Sequence, residues 1–395
     1  MNKLTTLLKK DIVTKIVGFM LFLFILFNVF CGVTYLFRNL KSDRVHIMGI
    51  KSEPNNIDMV YIGGSAAFCY WQPLRAWADY GFTSYNFATN TIQAEMIKPY
   101  MQEVEKYHNP SLYVIGVRAF QYYSDDQYEA GIRNGTDSMN ITSLERYRLL
   151  NDYFSHKQID ENTDVLSYYI DIAKYHTNTV RLTSTYAWGY IDNKGVSPNK
   201  GWEWIDQYGY VPEPQNFQTD ERAALADYAM ESLNELVEYC KQLDKDVLFV
   251  VCPYQTHVNH YEKYNTIKDV VEKAGFKFLN ANDYYDEMEI DFTEDFYNGA
   301  HVNLFGAKKY TKFLEEYICE NYDMPDHRED ESFSSWDEDA KRFFEEEQVH
   351  AETVTNLRLD FERDTELAQE ILEAKNLSEL NNLTSNDRFT LLVAA

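Results

Sequence analysis

Asp58-Met-Val-Tyr-Ile-Gly-Gly-Ser-Ala-Ala67 decides the architecture of this chain. A short apolar run without polar alternation, closed by two glycines and a serine, reads as a strand buried on both faces. The first strand is therefore expected at Asp58–Gly63, with Ser65 just past its carboxyl end. Four further runs share the character: Thr83–Phe87, Leu112–Val117, Val247–Val251 (stopped by Pro253) and Phe276–Leu279. Helical stretches alternate with them at Gln93–Tyr107, Thr219–Leu243, His260–Ala274 and Gly306–Tyr322; the third ends on Gly275, a fitting helix stop. This alternation predicts the α/β class, with a doubly wound five-stranded parallel sheet in a three-layer, flavodoxin-like sandwich.

Working outward, residues 120–216 break the alternation as a long insertion between the third and fourth strands. It is rich in Tyr, Asn, Asp and Trp. Two helices are expected in it, Ser143–Phe154 and Val165–Tyr175, followed by a polar part, Trp188–Gln215. Long insertions beside strand ends often shape substrate sites or partner surfaces.

At the other end, Ile16–Phe37 is a 22-residue run without a formal charge, and a bilayer core needs about 20 such residues as helix. No A-x-A-like cleavage site follows, so a transmembrane anchor is expected rather than a cleaved signal. Four lysines precede the run (Lys3, Lys9, Lys10, Lys15) and Arg38, Lys41 and Arg44 follow it. The positive-inside rule then favours a cytoplasmic N-terminus, a single pass through the cell membrane and an extracytoplasmic remainder. The opposite orientation, with the remainder facing the cytoplasm, is the alternative.

The expected domains are a stub and anchor at 1–45, the sandwich at 46–324, and an acidic helical tail at 325–395. The formal net charge is −26, and residues 325–395 hold 19 Asp/Glu against 7 Lys/Arg. No basic face is visible, which excludes nucleic acid as a partner. The tail ends in Arg388–Ala395, a strand-like run that either opens a further domain or joins an edge of the main sheet. The five cysteines show no metal-ligand or disulfide spacing, and no cofactor motif occurs; Gly-Gly-Ser lacks the Gly-Lys-Ser/Thr of a phosphate loop.

In open parallel sheets, sites form outside the carboxyl ends of the strands. That edge collects Ser65, Asn86, Asn90, Arg118, Tyr254, His257 and, in Asp295-Phe-Tyr-Asn-Gly-Ala-His301-Val-Asn-Leu-Phe-Gly306, the histidine before the last helix. Serine needs an adjacent base to act as a nucleophile, and His301 is placed to be one. The N–H of Ala66, with a side-chain amide from Asn90 or Asn86, would face a developing oxyanion, each such donor contributing roughly 3 kcal/mol. Arg118, Tyr254 and His257 are the candidate substrate-binding residues. For Arg118, the choice lies between an anionic or sugar substrate and a salt bridge to the acidic insertion.

The order of elements, Gly64-Ser65, Tyr85-Asn-Phe-Ala-Thr-Asn90 and Gly299-Ala-His-Val-Asn-Leu-Phe-Gly-Ala307 resemble the SGNH (GDSL-like) hydrolase superfamily. Within it, the chain resembles the membrane-anchored DltD-like and AlgX-like proteins of cell-envelope modification, over Asn56–Tyr322 and the anchor. The resemblance implies a serine esterase or O-acyltransferase acting on an envelope polysaccharide or teichoic-acid-like polymer. It also implies a membrane-bound O-acyltransferase partner that supplies the acyl group. It implies a Ser-His-Asp triad whose acid stands three residues before the histidine. Here that position is Asn298. In a serine triad an Asp-to-Asn change lowers turnover about 10⁴-fold. Asp295 as a substitute acid, or a Ser-His dyad, are the alternatives. A catalytically weak polymer-binding subunit is the rival from another functional class.

Overall fold

Five parallel strands organise the protein: β1 (Met59–Gly63), β2 (Ser84–Ala88), β3 (Leu112–Gly116), β4 (Asp246–Val251) and β5 (Lys277–Asn280). They hydrogen-bond in the order β2-β1-β3-β4-β5. The structure is a computed structural model and describes residues 2–38, 47, 49–121, 128–156, 163–178 and 197–384. In the register, Gly63 lies opposite Ala88, and Ile62 opposite Ile115. Every residue of β1 and β2 is buried, the reason these strands lack polar alternation. Chain order and sheet order diverge at β1, flanked by β2 and β3, so the crevice beyond β1 and β3 is the topological switch point.

The first helix, α1 (Asn2–Phe37), contains the 23-residue span Ile12–Thr34, long and apolar enough to cross a membrane. Ser65 opens the short α2 (Ser65–Phe68). Next, α3 (Pro73–Tyr80) begins on Pro73 and ends at Gly81, whose φ of +81° suits glycine. The predicted helix Gln93–Tyr107 is shorter in the structure: a 3₁₀ turn at Ala94–Met96 leads into α4 (Ile97–Val104).

In the insertion, α5 (Tyr128–Ser138) is a helix not foreseen, while α6 (Leu144–His156) matches the first expected helix within two residues. The second breaks at Ile170 into α7 (Leu166–Tyr169) and α8 (Asp171–Tyr175). Of the polar part, 197–215 is described.

The helix expected from Thr219 begins later, as α9 (Asp227–Gln242). Residues 219–226 are held irregular by the neighbouring helix instead. Asn265 donates to the carbonyls of Thr219 and Glu221, and the Ala223 N–H donates to Glu262 O. That neighbour is α10 (Val258–Lys273), and α11 (Leu304–Asn321) follows the site loop.

The sequence boundary at 325 does not separate two cores. The 40-residue α12 (Ser334–Glu373) puts Trp336, Ala340 and Phe343 into the same buried cluster as the sheet. Trp336 packs on Trp77, Phe343 stacks on Trp204, and buried Lys200 bridges Glu53 (3.0 Å) and Asp339 (2.8 Å). A last helix, α13 (Leu377–Leu383), precedes Arg388–Ala395, which lies outside the described residues.

Candidate active site

Ser65 leaves β1 as the first residue of α2, half-buried at the carboxyl edge of the sheet. The N–H groups of Ser65 and Ala66 stand in the first turn, where a helix has no carbonyl of its own to offer them. The glycines before them supply space rather than an unusual turn. Gly64 has φ −87°, open to any residue, but a Cβ on Gly63 would stand 3.2 Å from the Ala67 Cβ.

His301 reaches Ser65 from a small antiparallel hairpin, β6 (Phe296–Asn298) and β7 (His301–Val302), in which Asn298 pairs with His301 across an irregular register. Ser65 Oγ and His301 Nε2 are 2.7 Å apart. On the far side of the ring, Nδ1 lies 3.1 Å from Asn298 Oδ1. The same oxygen accepts the Ala300 N–H at 2.9 Å, which requires the amide oxygen, and not the nitrogen, to face the ring. Nδ1 therefore donates, and Nε2 is left as the acceptor toward serine. An asparagine beside a histidine can select either tautomer, and here a backbone N–H two residues away fixes the one that leaves Nε2 free to accept. What the amide cannot supply is a full negative charge.

Three more contacts hold the ring. Tyr297 stacks on it, with centroids 5.4 Å apart and planes 18° from parallel. The carbonyl before it, Ala300 O, accepts from Arg118 Nη1 (2.8 Å) and from the Tyr70 hydroxyl (3.1 Å). Arg118 lies over the Tyr254 ring, 4.1 Å from its centroid. Burial first, then the Arg118 charge, depresses the His301 pKa to about 4. The imidazole is neutral at physiological pH.

Two expected roles, Asp295 as acid and Asn86 as oxyanion donor, do not survive the geometry. Asp295 is buried away from the ring: its carboxylate accepts the Asp291 N–H (2.7 Å) and pairs with Lys309 (2.7 Å), while burial raises its pKa. It fixes the base of the hairpin and gives His301 nothing. Asn86 is fully buried within β2 and donates its amide to Trp71 O (2.8 Å), so it is a strand residue and no oxyanion donor. Asn90 follows β2 on the site edge, half-buried, beside Thr91 at φ +53°. Tyr254 is buried, with its hydroxyl turned to Tyr264 (2.8 Å), His260 (3.1 Å) and Thr256 (3.2 Å); it supports Arg118 from beneath. His257 is exposed and precedes the first residue of α10. Arg118 donates Nη1 to the backbone carbonyl of Ala300. Tyr70 and Tyr297 were missed. Tyr297 stands next to Asn298 in sequence, but nothing local marks Tyr70. Among the described residues, no cluster of three or more His, Cys, Asp or Glu side chains is arranged to hold a metal ion.

No family model and no curated protein matches this sequence. Among solved structures, the chain is similar to an active-site mutant of a family two carbohydrate esterase from Clostridium thermocellum. The two share 10% identity with a TM-score of 0.29, over 68% of this chain and 65% of that one. A likeness of that size carries no weight about chemistry, which rests on the geometry of Ser65, His301 and Asn298.

Proposed function

We propose that this protein is a serine esterase or O-acyltransferase that works through an acyl-enzyme on Ser65. The observation behind this reading is the 2.7 Å approach of Ser65 Oγ to an imidazole whose other nitrogen is already committed as a donor. Ser65 Oγ attacks the acyl carbonyl carbon, and its proton passes to His301 Nε2. The oxyanion accepts from the Ala66 N–H, with the Asn90 amide as second donor. On collapse, the ester C–O bond breaks and His301 returns the proton to the leaving alcohol. Water or a sugar hydroxyl then attacks the acyl-Ser65 ester by the same steps in reverse. The anchor and the resemblance in sequence support an acylated cell-envelope polysaccharide or teichoic-acid-like polymer as substrate. They also support a membrane-bound acyltransferase as partner and an extracytoplasmic location.

Labelling with a fluorophosphonate tests the covalent step. Wild type should label and Ser65→Ala should not; equal labelling of the two would remove the mechanism. The neutral amide at position 298 favours a second reading, a weakly active accessory subunit that binds the polymer. Turnover of acyl esters by wild type close to that of Ser65→Ala, with polymer binding intact, would select it.

A further inference from the structure

The end of the apolar helix is enclosed by the insertion. Thr34, the last residue of the span, and Arg38, one turn further on, are each 1% exposed. Arg38 is paired with Asp171 of α8 (Nε to Oδ2, 2.6 Å) and donates Nη1 to Met139 O (3.0 Å) beyond α5. Asn178 donates to Phe37 O (3.2 Å). Asp171 also accepts from Arg146 of α6 (2.5 Å), which donates to Thr136 O and Tyr168 O as well. A cation at the end of a span ordinarily reaches up to the lipid headgroups. Here protein occupies that place, and the four insertion helices among the described residues converge on it.

Depth follows from helix geometry. Arg38 stands four residues beyond Thr34, about 6 Å along a helix rising 1.5 Å per residue. The polar zone outside the hydrocarbon core is about 5–8 Å deep on each side. The Arg38–Asp171 pair therefore sits at headgroup depth, and α7 and α8 with it. Yet these helices and the start of α6 expose large aliphatic side chains: Leu144 is 66% exposed, Leu166 59% and Ile170, next to Asp171, 37%.

We propose that α5–α8 form a collar seated in the membrane interface, with Leu144, Leu166 and Ile170 inserted at the boundary between headgroups and acyl chains. Its occupant is the lipid bilayer itself, because the collar is continuous with the span through a fully buried ion pair. This rests on Ile12–Thr34 spanning the membrane, not on the chemistry at Ser65.

The test uses the full chain in phosphatidylcholine/phosphatidylglycerol nanodiscs, with Cys31 and Cys319 changed to Ser. Nitroxides are attached singly at Leu144→Cys, Leu166→Cys, Ile170→Cys, Phe24→Cys and Leu372→Cys, and relaxation by oxygen is compared with relaxation by a water-soluble nickel chelate. Position 24 lies mid-span and position 372 is 86% exposed on α12. The collar positions should favour oxygen over nickel several-fold relative to position 372, approaching position 24. Collar positions that match position 372 while position 24 reads as lipid would overturn the collar and leave the span standing. A water-like reading at position 24 would overturn both.

Discussion

Asn298 holds the catalytic question in one side chain. Its carbonyl oxygen orients His301 correctly because Ala300 N–H holds the amide the right way round. It brings no charge, and the imidazole pKa is left at about 4 by burial and by Arg118. Restoring the charge should act on both rate and pH. Asn298→Asp is expected to raise ester turnover at least tenfold, within a ceiling of about 10⁴, and to move the acid limb of kcat/KM upward. The limb shift follows because an adjacent carboxylate favours the imidazolium. A faster variant with an unmoved limb would mean the gain came from elsewhere. Arg118 separates charge from geometry. Arg118→Met removes a positive charge near His301 and a donor to Ala300 O, so the acid limb should rise while turnover falls by roughly tenfold or more. Arg118→Lys keeps the charge but not the planar stack on Tyr254. It should therefore keep the limb low and still lose rate, as a pH series on the three proteins would show.

At the scale of elements, legibility tracked how each element is stabilised. The five strands are readable within one residue because burial, complete in β1 and β2 and nearly so in β3 and β4, leaves short apolar runs. The β6–β7 hairpin is not, because five residues with an exposed Asn298 and an irregular pairing carry no periodicity. Ser65 and His301 were found from their positions at the sheet edge. Whether Asp295 could serve as the alternative acid is not legible locally, because its partner, Lys309, lies fourteen residues on. The acidic α12 reads from sequence as a helical tail, since its apolar anchors are sparse in a charged sequence, yet they are large. Trp336 is fully buried against Trp77 and beneath the Lys200 ammonium. Trp336→Ala should lower stability by about 3–5 kcal/mol. The denaturant midpoint of the whole chain should move with it, in a single transition. A separate early transition with the main one unchanged would mean that α12 is not part of the common core.

For the whole molecule, buried ionisable groups set the dependence of stability on pH. His260 and His301 both have folded pKa values near 4 against an ordinary 6.5, in each case chiefly through burial. Between those values the unfolded chain binds protons that the folded one refuses. Their contribution is therefore complete above about pH 6.5 and is lost as pH falls toward 4. Glu315 works in the opposite sense. It is buried on α11 beside Asp79, and burial followed by the Asp79 charge raises its pKa from 4.5 to about 9. Its contribution is complete below pH 4.5 and is lost as pH rises through about 9. Among the most strongly shifted groups in this range, two histidines oppose one carboxyl in the overlap, so stability should climb with pH; above 6.5 only the carboxyl of these three still titrates and stability should decline. Melting temperature is thus expected to peak near pH 6.5. Glu315→Gln keeps the shape and removes the titration, so it should flatten the alkaline decline and, with no carboxyl opposing the histidines, steepen the acid side. His260→Asn should do the reverse: one histidine is then left against one carboxyl, so the acid slope should nearly vanish while the alkaline decline stays. If the alkaline decline persists unchanged in Glu315→Gln, the buried carboxyl on α11 is not its cause.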